Sequence, residues 1–187
     1  MPPTLLSGQG ATITFNCFTM NSSELAFKHL LKSAKIPSLN FNSKTLIQTA
    51  KQFKMGRQRI ATATPYIAAE FGDRATGQFN WDNIPASIIL DLIFATDFAI
   101  NFRGWHIAID VTSNPNTLDD KQAKLNNVEA NSGLKHLLDA IGIDHSVVCL
   151  VKIPGSRKPK IQPNIQTLTQ LLRQVIKGSL QVGELAL

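Results

Sequence analysis

The stretch that decides the fold runs from Thr96 to Ser113, TDFAINFRGWHIAIDVTS. Two runs of alternating character flank Arg103-Gly104, and a two-residue turn with glycine second signals a hairpin. In that register Phe102 faces Trp105, Ile100 faces Ile107 and Phe98 faces Ile109. These large apolar side chains share one side of the ribbon, and a one-residue slip would break the set. The other side carries Asp97, Ala99 and Asn101 opposite Asp110, Ala108 and His106. Asp97 then stands directly across from Asp110. Facing Cβ atoms on neighbouring strands lie about 4.5–5.5 Å apart, and like charges there destabilise the sheet. A divalent cation between the two carboxylates would reverse that penalty, and a hard, oxygen-rich site suits Mg²⁺, or Mn²⁺ as its substitute. The alternative is that both carboxylates face water on an exposed surface.

The surrounding chain is charged in blocks. It has 187 residues and a formal net charge of +6. Leu25 to Ala69 contains no acid but eight basic residues, and His145 to Gly183 has six basic residues and again no acid. Residues 70–144 hold eleven of the thirteen acids against five basic residues, so the middle carries −6 and the two flanks together +12. That sorting suits a protein whose flanks grip a polyanion while its centre keeps carboxylates for another task. Phosphate contacts are expected first from Lys44, Lys51, Lys54, Arg57 and Arg59, then from Arg157, Lys158 and Lys160. His106 reads as a surface residue sharing a face with Asp110.

The length predicts one domain over residues 1–187, with a basic helical region over 21–64, a core motif region over 65–153 and a basic linker and helix over 154–187. A strand is expected over Ala11 to Met20. Asn21 and Glu24 form a capping-box pattern that opens a helix to about Lys35. A second helix follows Asn42-Ser43 and is interrupted near Gly56, and Thr64-Pro65 starts a short helix ending at Gly72. Residues 87–94 fit a helix or a buried strand equally well. Beyond the hairpin, Thr117 and Asp120 suggest a second capping box, Gly142 a helix stop, Ser146–Ile153 a buried strand and Ile165–Lys177 an amphipathic helix. The last residues look weakly specified. Cys17 and Cys149 read as core thiols with no metal-ligand spacing.

No apolar run reaches the ~20 residues of a membrane span, and the first residues lack the basic start of a signal peptide, so a cytoplasmic location is expected. Gly72 and Gly77 have no Lys-Ser/Thr after them, which excludes a nucleotide-phosphate loop. No zinc finger or RNA-binding aromatic signature is present.

The order of strand with Asp97, turn, strand with Asp110-Val111-Thr112, helix and strand resembles the core of the PD-(D/E)xK nuclease superfamily, over roughly residues 65–153. Thr96-Asp97-Phe98 stands where that family has Pro-Asp-x, and Ile109-Asp110-Val111-Thr112 where it has hydrophobic–acidic–x–Lys. Gln122 resembles the helical glutamine of RecB-type members. Thr112 occupies the place of the motif lysine. The resemblance implies an α/β (α+β) fold with a restriction-endonuclease-like core, a central mixed sheet flanked by helices. It further implies a Mg²⁺-dependent DNA endonuclease of the restriction, homing, transposition-end or junction-resolving kind.

In that reading Asp97 and Asp110 ligate the metal and Glu70 completes the ligand set, with Asp91 its rival if residues 87–94 form a strand. Thr112 can at most hold a water or the metal's shell. Lys121 or Lys124, with Lys124 preferred, reaches back from the following helix to replace the lysine. Cutting both strands of a duplex calls for a homodimer or higher oligomer. Two other readings stay open: a non-catalytic nucleic-acid-binding protein on the same fold, and an interaction or assembly subunit that meets an acidic partner.

Overall fold

Asn21 begins the first helix, α1 (Ser22–Ser33), as its side-chain oxygen accepts the backbone N–H of Ser23 and Glu24 at 2.9 and 3.0 Å. The Glu24 carboxylate accepts the Asn21 N–H in return at 3.3 Å, completing the capping box. In this computed structural model the described residues are 20–126, 133–153 and 161–187. The strand expected over Ala11–Met20, together with Cys17, Arg157, Lys158 and Lys160, lies outside them, Met20 excepted.

Helix α2 (Ser43–Gln52) opens on Asn42, whose side chain accepts the Thr45 N–H at 3.1 Å. The next boundaries differ from expectation. The chain breaks at Phe53, and α3 (Lys54–Phe71) then runs unbroken through both Gly56 and Pro65, past the boundary expected at residue 64. Gly56 marks a close approach: a Cβ there would lie 2.1 Å from the Ala50 carbonyl oxygen, so only glycine lets α3 pass α2. Pro65 is exposed while Ala63 and Ile67 on either side of it are buried, so packing holds the helix through the missing hydrogen bond.

The ambiguous segment is helix α4 (Ala86–Phe94), with Ile89, Leu90, Ile93 and Phe94 buried and Ala95 at φ 49° closing it. It leads into β1 (Phe98–Phe102) and β2 (Trp105–Thr112). The hairpin has the expected register, Phe98 to Ile109, Ile100 to Ile107 and Phe102 to Trp105. Arg103 and Gly104 take φ 57° and 88°, as a type I′ turn demands of both its central residues. After α5 (Leu118–Asn126) and α6 (Leu134–Asp139), β3 (His145–Lys152) joins β2 in parallel, and Gly142 stops α6 at φ 80°. Helix α7 (Ile161–Ile176) starts four residues earlier than expected and leads to β4 (Val182–Ala186), parallel to β3.

Strand β4 replaces the weakly specified end. Glycine, glutamate and alanine dilute its pattern, yet tertiary packing fixes it: a Cβ on Gly183 would lie 2.2 Å from Leu171 Cδ1, and Lys152 pairs with Glu184 at 2.6 Å.

The result is an α/β fold with a four-stranded mixed open sheet, order β1-β2-β3-β4, flanked by helices. On one face α1 and α7 pack on Ile100, Ile107, Ile109, Val147 and Cys149, whose thiol burial pushes up to about 12. On the other face α2, α3, α4 and α6 cover Ala99, Ala108 and Val148. Ala99 and Ala108, on the carboxylate side of the ribbon, are thus covered by helices and only 5% and 3% exposed. Among the described residues no helix is long and apolar enough to cross a membrane.

Candidate active site

Asp97 precedes β1 by one residue, where the ladder becomes irregular: its N–H donates to the carbonyl of Ile109, the residue paired with Phe98, at 3.0 Å. Its side-chain Oδ2 then accepts the Val111 N–H at 2.6 Å. Asp97 thus stands just outside the paired register, which begins at Phe98 and Ile109, and what brings it together with Asp110 is the cleft that both line. Both carboxylates line one cleft of about 340 Å³ at the open end of the hairpin, with Glu24, Asp91, Arg59, Lys121 and Lys124.

Each wall has a local cause. The capping box of α1 delivers Glu24. Asp91 comes from the last turns of α4, so the acid that was the alternative on a strand reaches the cleft on a helix. Glu70 does not. It is exposed near the C-terminus of α3, eleven residues from Arg59, a separation of about 16 Å along a helix. Arg59 is the member of α3 that enters, its Nε donating to the Leu92 carbonyl at 3.1 Å.

Lysine arrives from α5. Lys121 Nζ contacts Asp110 Oδ1 and lies 3.4 Å from the Val111 carbonyl oxygen. Of the two candidates, the structure pairs Lys121 with Asp110; Lys124, the one preferred from sequence, lines the cleft one turn further on. Gln122 is half-buried and is not part of the cleft wall. Thr112 also lines the cleft. Its buried hydroxyl accepts the Asn114 N–H at 3.1 Å and pairs with the Thr117 hydroxyl at 3.0 Å, while the latter donates to the Asn114 carbonyl at 2.9 Å. Both hydroxyls bond within the loop that leads from β2 into α5, and the Thr117 hydroxyl donates to the Asn114 carbonyl rather than capping α5.

Four acids and three bases share the cleft, and they are unequally compensated. Burial pushes the Asp97 carboxyl up to about 8, with Asp110, Asp91 and Glu24 adding to it and the Val111 hydrogen bond opposing. Burial likewise raises Asp91, reinforced by Asp110 and opposed by Lys121 and Arg59. Glu24 is raised by burial against its capping hydrogen bond. Burial lowers Arg59, and the Asp91 and Asp110 charges offset this. Carboxylates held above their ordinary range in a cleft are ready to accept a cation or a proton.

Among the described residues, no three of His, Cys, Asp and Glu converge as a ready-made metal centre. The expected triad of Asp97, Asp110 and Glu70 is therefore not assembled. Two carboxylates lining one cleft are within what Mg²⁺ uses, since it takes one or two carboxylates and fills its remaining positions with waters and substrate phosphate oxygens.

The basic residues divide. Lys44, Lys51, Lys54 and Arg57 are exposed on α2 and α3 outside the cleft, with Arg57 Nη1 donating to the Lys51 carbonyl at 2.9 Å. His106 sits at the far end of the hairpin, its Nδ1 2.9 Å from the Gly142 carbonyl oxygen. Glu24 is the residue that sequence reasoning missed: its capping role was readable, but its nearness to a cleft some seventy residues away was not. No protein-family model, curated protein or solved structure matches the chain.

Proposed function

We propose that the protein is a metal-dependent DNA endonuclease that hydrolyses phosphodiester bonds. The observation that carries this reading is the sharing of one cleft by Asp97 and Asp110, with Lys121 laid against Asp110. The antiparallel hairpin, the α5 crossover and the parallel β3 support it, since they follow the order that the PD-(D/E)xK resemblance implies for a restriction-endonuclease-like core.

Asp97 and Asp110 would hold Mg²⁺ or Mn²⁺. When bound, the ion supplies a lowered water pKa and neutralises charge developing on phosphate. Lys121 supplies the cation that the motif would otherwise carry at Thr112, as a charge beside the reacting phosphate. Arg59, tethered through Nε, presents its remaining N–H groups to a phosphate oxygen from a fixed position. In the reaction a water oxygen bonds to phosphorus and loses a proton, one ester P–O bond breaks, and the departing sugar oxygen takes up a proton. The exposed lysines and Arg57 on α2 and α3 would contact phosphates of the DNA and make binding fall steeply with salt. In a cell this places the protein in the cytoplasm, nucleoid-associated when bound, and as a homodimer or higher oligomer if both strands are cut.

One observation favours a second reading, a DNA-binding protein without catalysis on the same fold. Lys121 already neutralises Asp110, doing from within what an ion would do. The deciding experiment incubates the purified chain with Mg²⁺ or Mn²⁺ and duplex, nicked, branched and single-stranded DNA. Cleavage by wild type and its loss in Asp110→Asn with DNA affinity retained establishes the enzyme. Salt-dependent binding without cleavage of any of these DNAs leaves the binding module.

A further inference from the structure

A second cavity, of about 470 Å³, opens beside the cleft between α1, the segment after it and α4. It shares Glu24, Asp91 and Asp97 with the cleft, so the two spaces meet along a border of carboxylates. Its other walls have a different chemistry. Phe41 supplies a half-buried ring, Asn40 and Ser87 supply exposed uncharged polar groups, and Lys28 adds one exposed cation, while the Phe98 ring is turned onto Phe27. The volume lies within the roughly 300–1,000 Å³ of small-ligand sites.

That chemistry selects an occupant. A phosphate would face three acids against the single cation Lys28, whereas a neutral base offers N–H donors to carboxylate and amide oxygens and a flat face to the Phe41 ring. The neighbouring cleft holds the groups suited to phosphate, Arg59 and Lys121, so a nucleotide can divide between the two spaces, phosphate in one and base in the other. A base inside an intact duplex cannot enter without being unpaired and unstacked, but a base in a single strand enters without that penalty.

We propose that this cavity receives an unpaired nucleobase adjoining the phosphate bound in the cleft, so that the substrate class is DNA with single-stranded character at the cut. The inference rests on the endonuclease reading. Its test measures binding of the full chain to a labelled mixed-sequence single strand and to a blunt duplex of the same length, by anisotropy in EDTA at several salt concentrations.

Wild type binds the single strand about tenfold more tightly, in keeping with the stacking of one base on an aromatic ring. Ser87→Trp, at an exposed position of α4, fills the cavity and removes the preference while leaving duplex affinity and thermal stability unchanged. Asn40→Ala, at a second exposed wall position, reduces the preference without filling the space. Equal affinity for the two DNAs, or a preference untouched by both variants, overturns the proposal while salt-dependent duplex binding keeps the parent reading intact. Absence of salt-dependent binding to either DNA overturns both.

Discussion

At the turn end of the β1–β2 hairpin, Asn101 Oδ1 accepts the Gly104 N–H at 3.0 Å and Asp144 Oδ2 accepts the His106 N–H at 2.8 Å. At the open end, Asp97 also accepts a backbone N–H, yet Asp110, Asp91 and Glu24 crowd around it and its carboxyl is held far above the usual range. Polar side chains at the turn end complete the backbone's hydrogen bonds; His145 Nε2 is the exception, buried without a partner. At the open end they exceed what the backbone needs. Four acids and three bases meet in that cleft, more charge than the backbone's hydrogen bonds use, and this is the feature on which the proposed function rests.

The sharpest way to break this contrast is to remove the cation at the open end. Lys121→Met should reduce Mg²⁺-dependent cleavage at least about 100-fold, in the range that acid–base and electrostatic groups contribute. Lys124→Met, one turn along α5, should change it less than about fivefold. Equal losses from the two variants would show that the Lys121–Asp110 contact has no special place in the chemistry.

A stability measurement separates the ends without any assumption about activity. A carboxyl whose folded pKa is raised binds more protons in the folded than in the unfolded chain. The stability it contributes is present below its unfolded value, near 4, and is lost as pH rises towards about 8. Asp97→Asn keeps an oxygen for the Val111 N–H and removes the charge. In EDTA it should raise Tm by about 3–6 °C at pH 8 and leave it nearly unchanged at pH 4. At the turn end the sign reverses: Asp144→Ala loses the bond to His106 N–H and should lower Tm by about 2–4 °C, corresponding to about 1 kcal/mol, at both pH 5 and pH 8. A Tm gain from Asp97→Asn that does not depend on pH would remove the electrostatic account of the open end.

How much of this was legible follows from how local each cause is. The hairpin register was readable because Arg103-Gly104 and six apolar residues fix it within eighteen positions, and the α1 capping box because it spans four. Gly56 and Pro65 misled because their ordinary local meaning is a break, and only the packing of α3 on α2 and the core overrides it. Glu70 stands at the expected place in sequence order, but the length of α3 carries it away from the cleft. Glu24 and Lys121 were decided by which helix ends meet at the sheet, which neither periodicity nor spacing encodes.

The smallest expected effect tests the turn itself. Arg103 holds φ at 57°, a left-handed conformation that a long L side chain adopts at a penalty and that asparagine tolerates well. Its side chain lies over the Phe102 ring, 5.6 Å from the guanidinium carbon to the centroid, an exposed contact that returns only part of that penalty. Arg103→Asn creates the Asn-Gly pair that type I′ turns favour and should stabilise the fold by about 0.5 kcal/mol, or about 1–2 °C in Tm. Because the turn end works through backbone geometry, this gain should be the same at pH 5 and pH 8 and leave cleavage unchanged. A change in DNA cleavage from Arg103→Asn would mean that the two ends of the hairpin are coupled along the ribbon and that their separation into a structural end and a chemical end is incomplete.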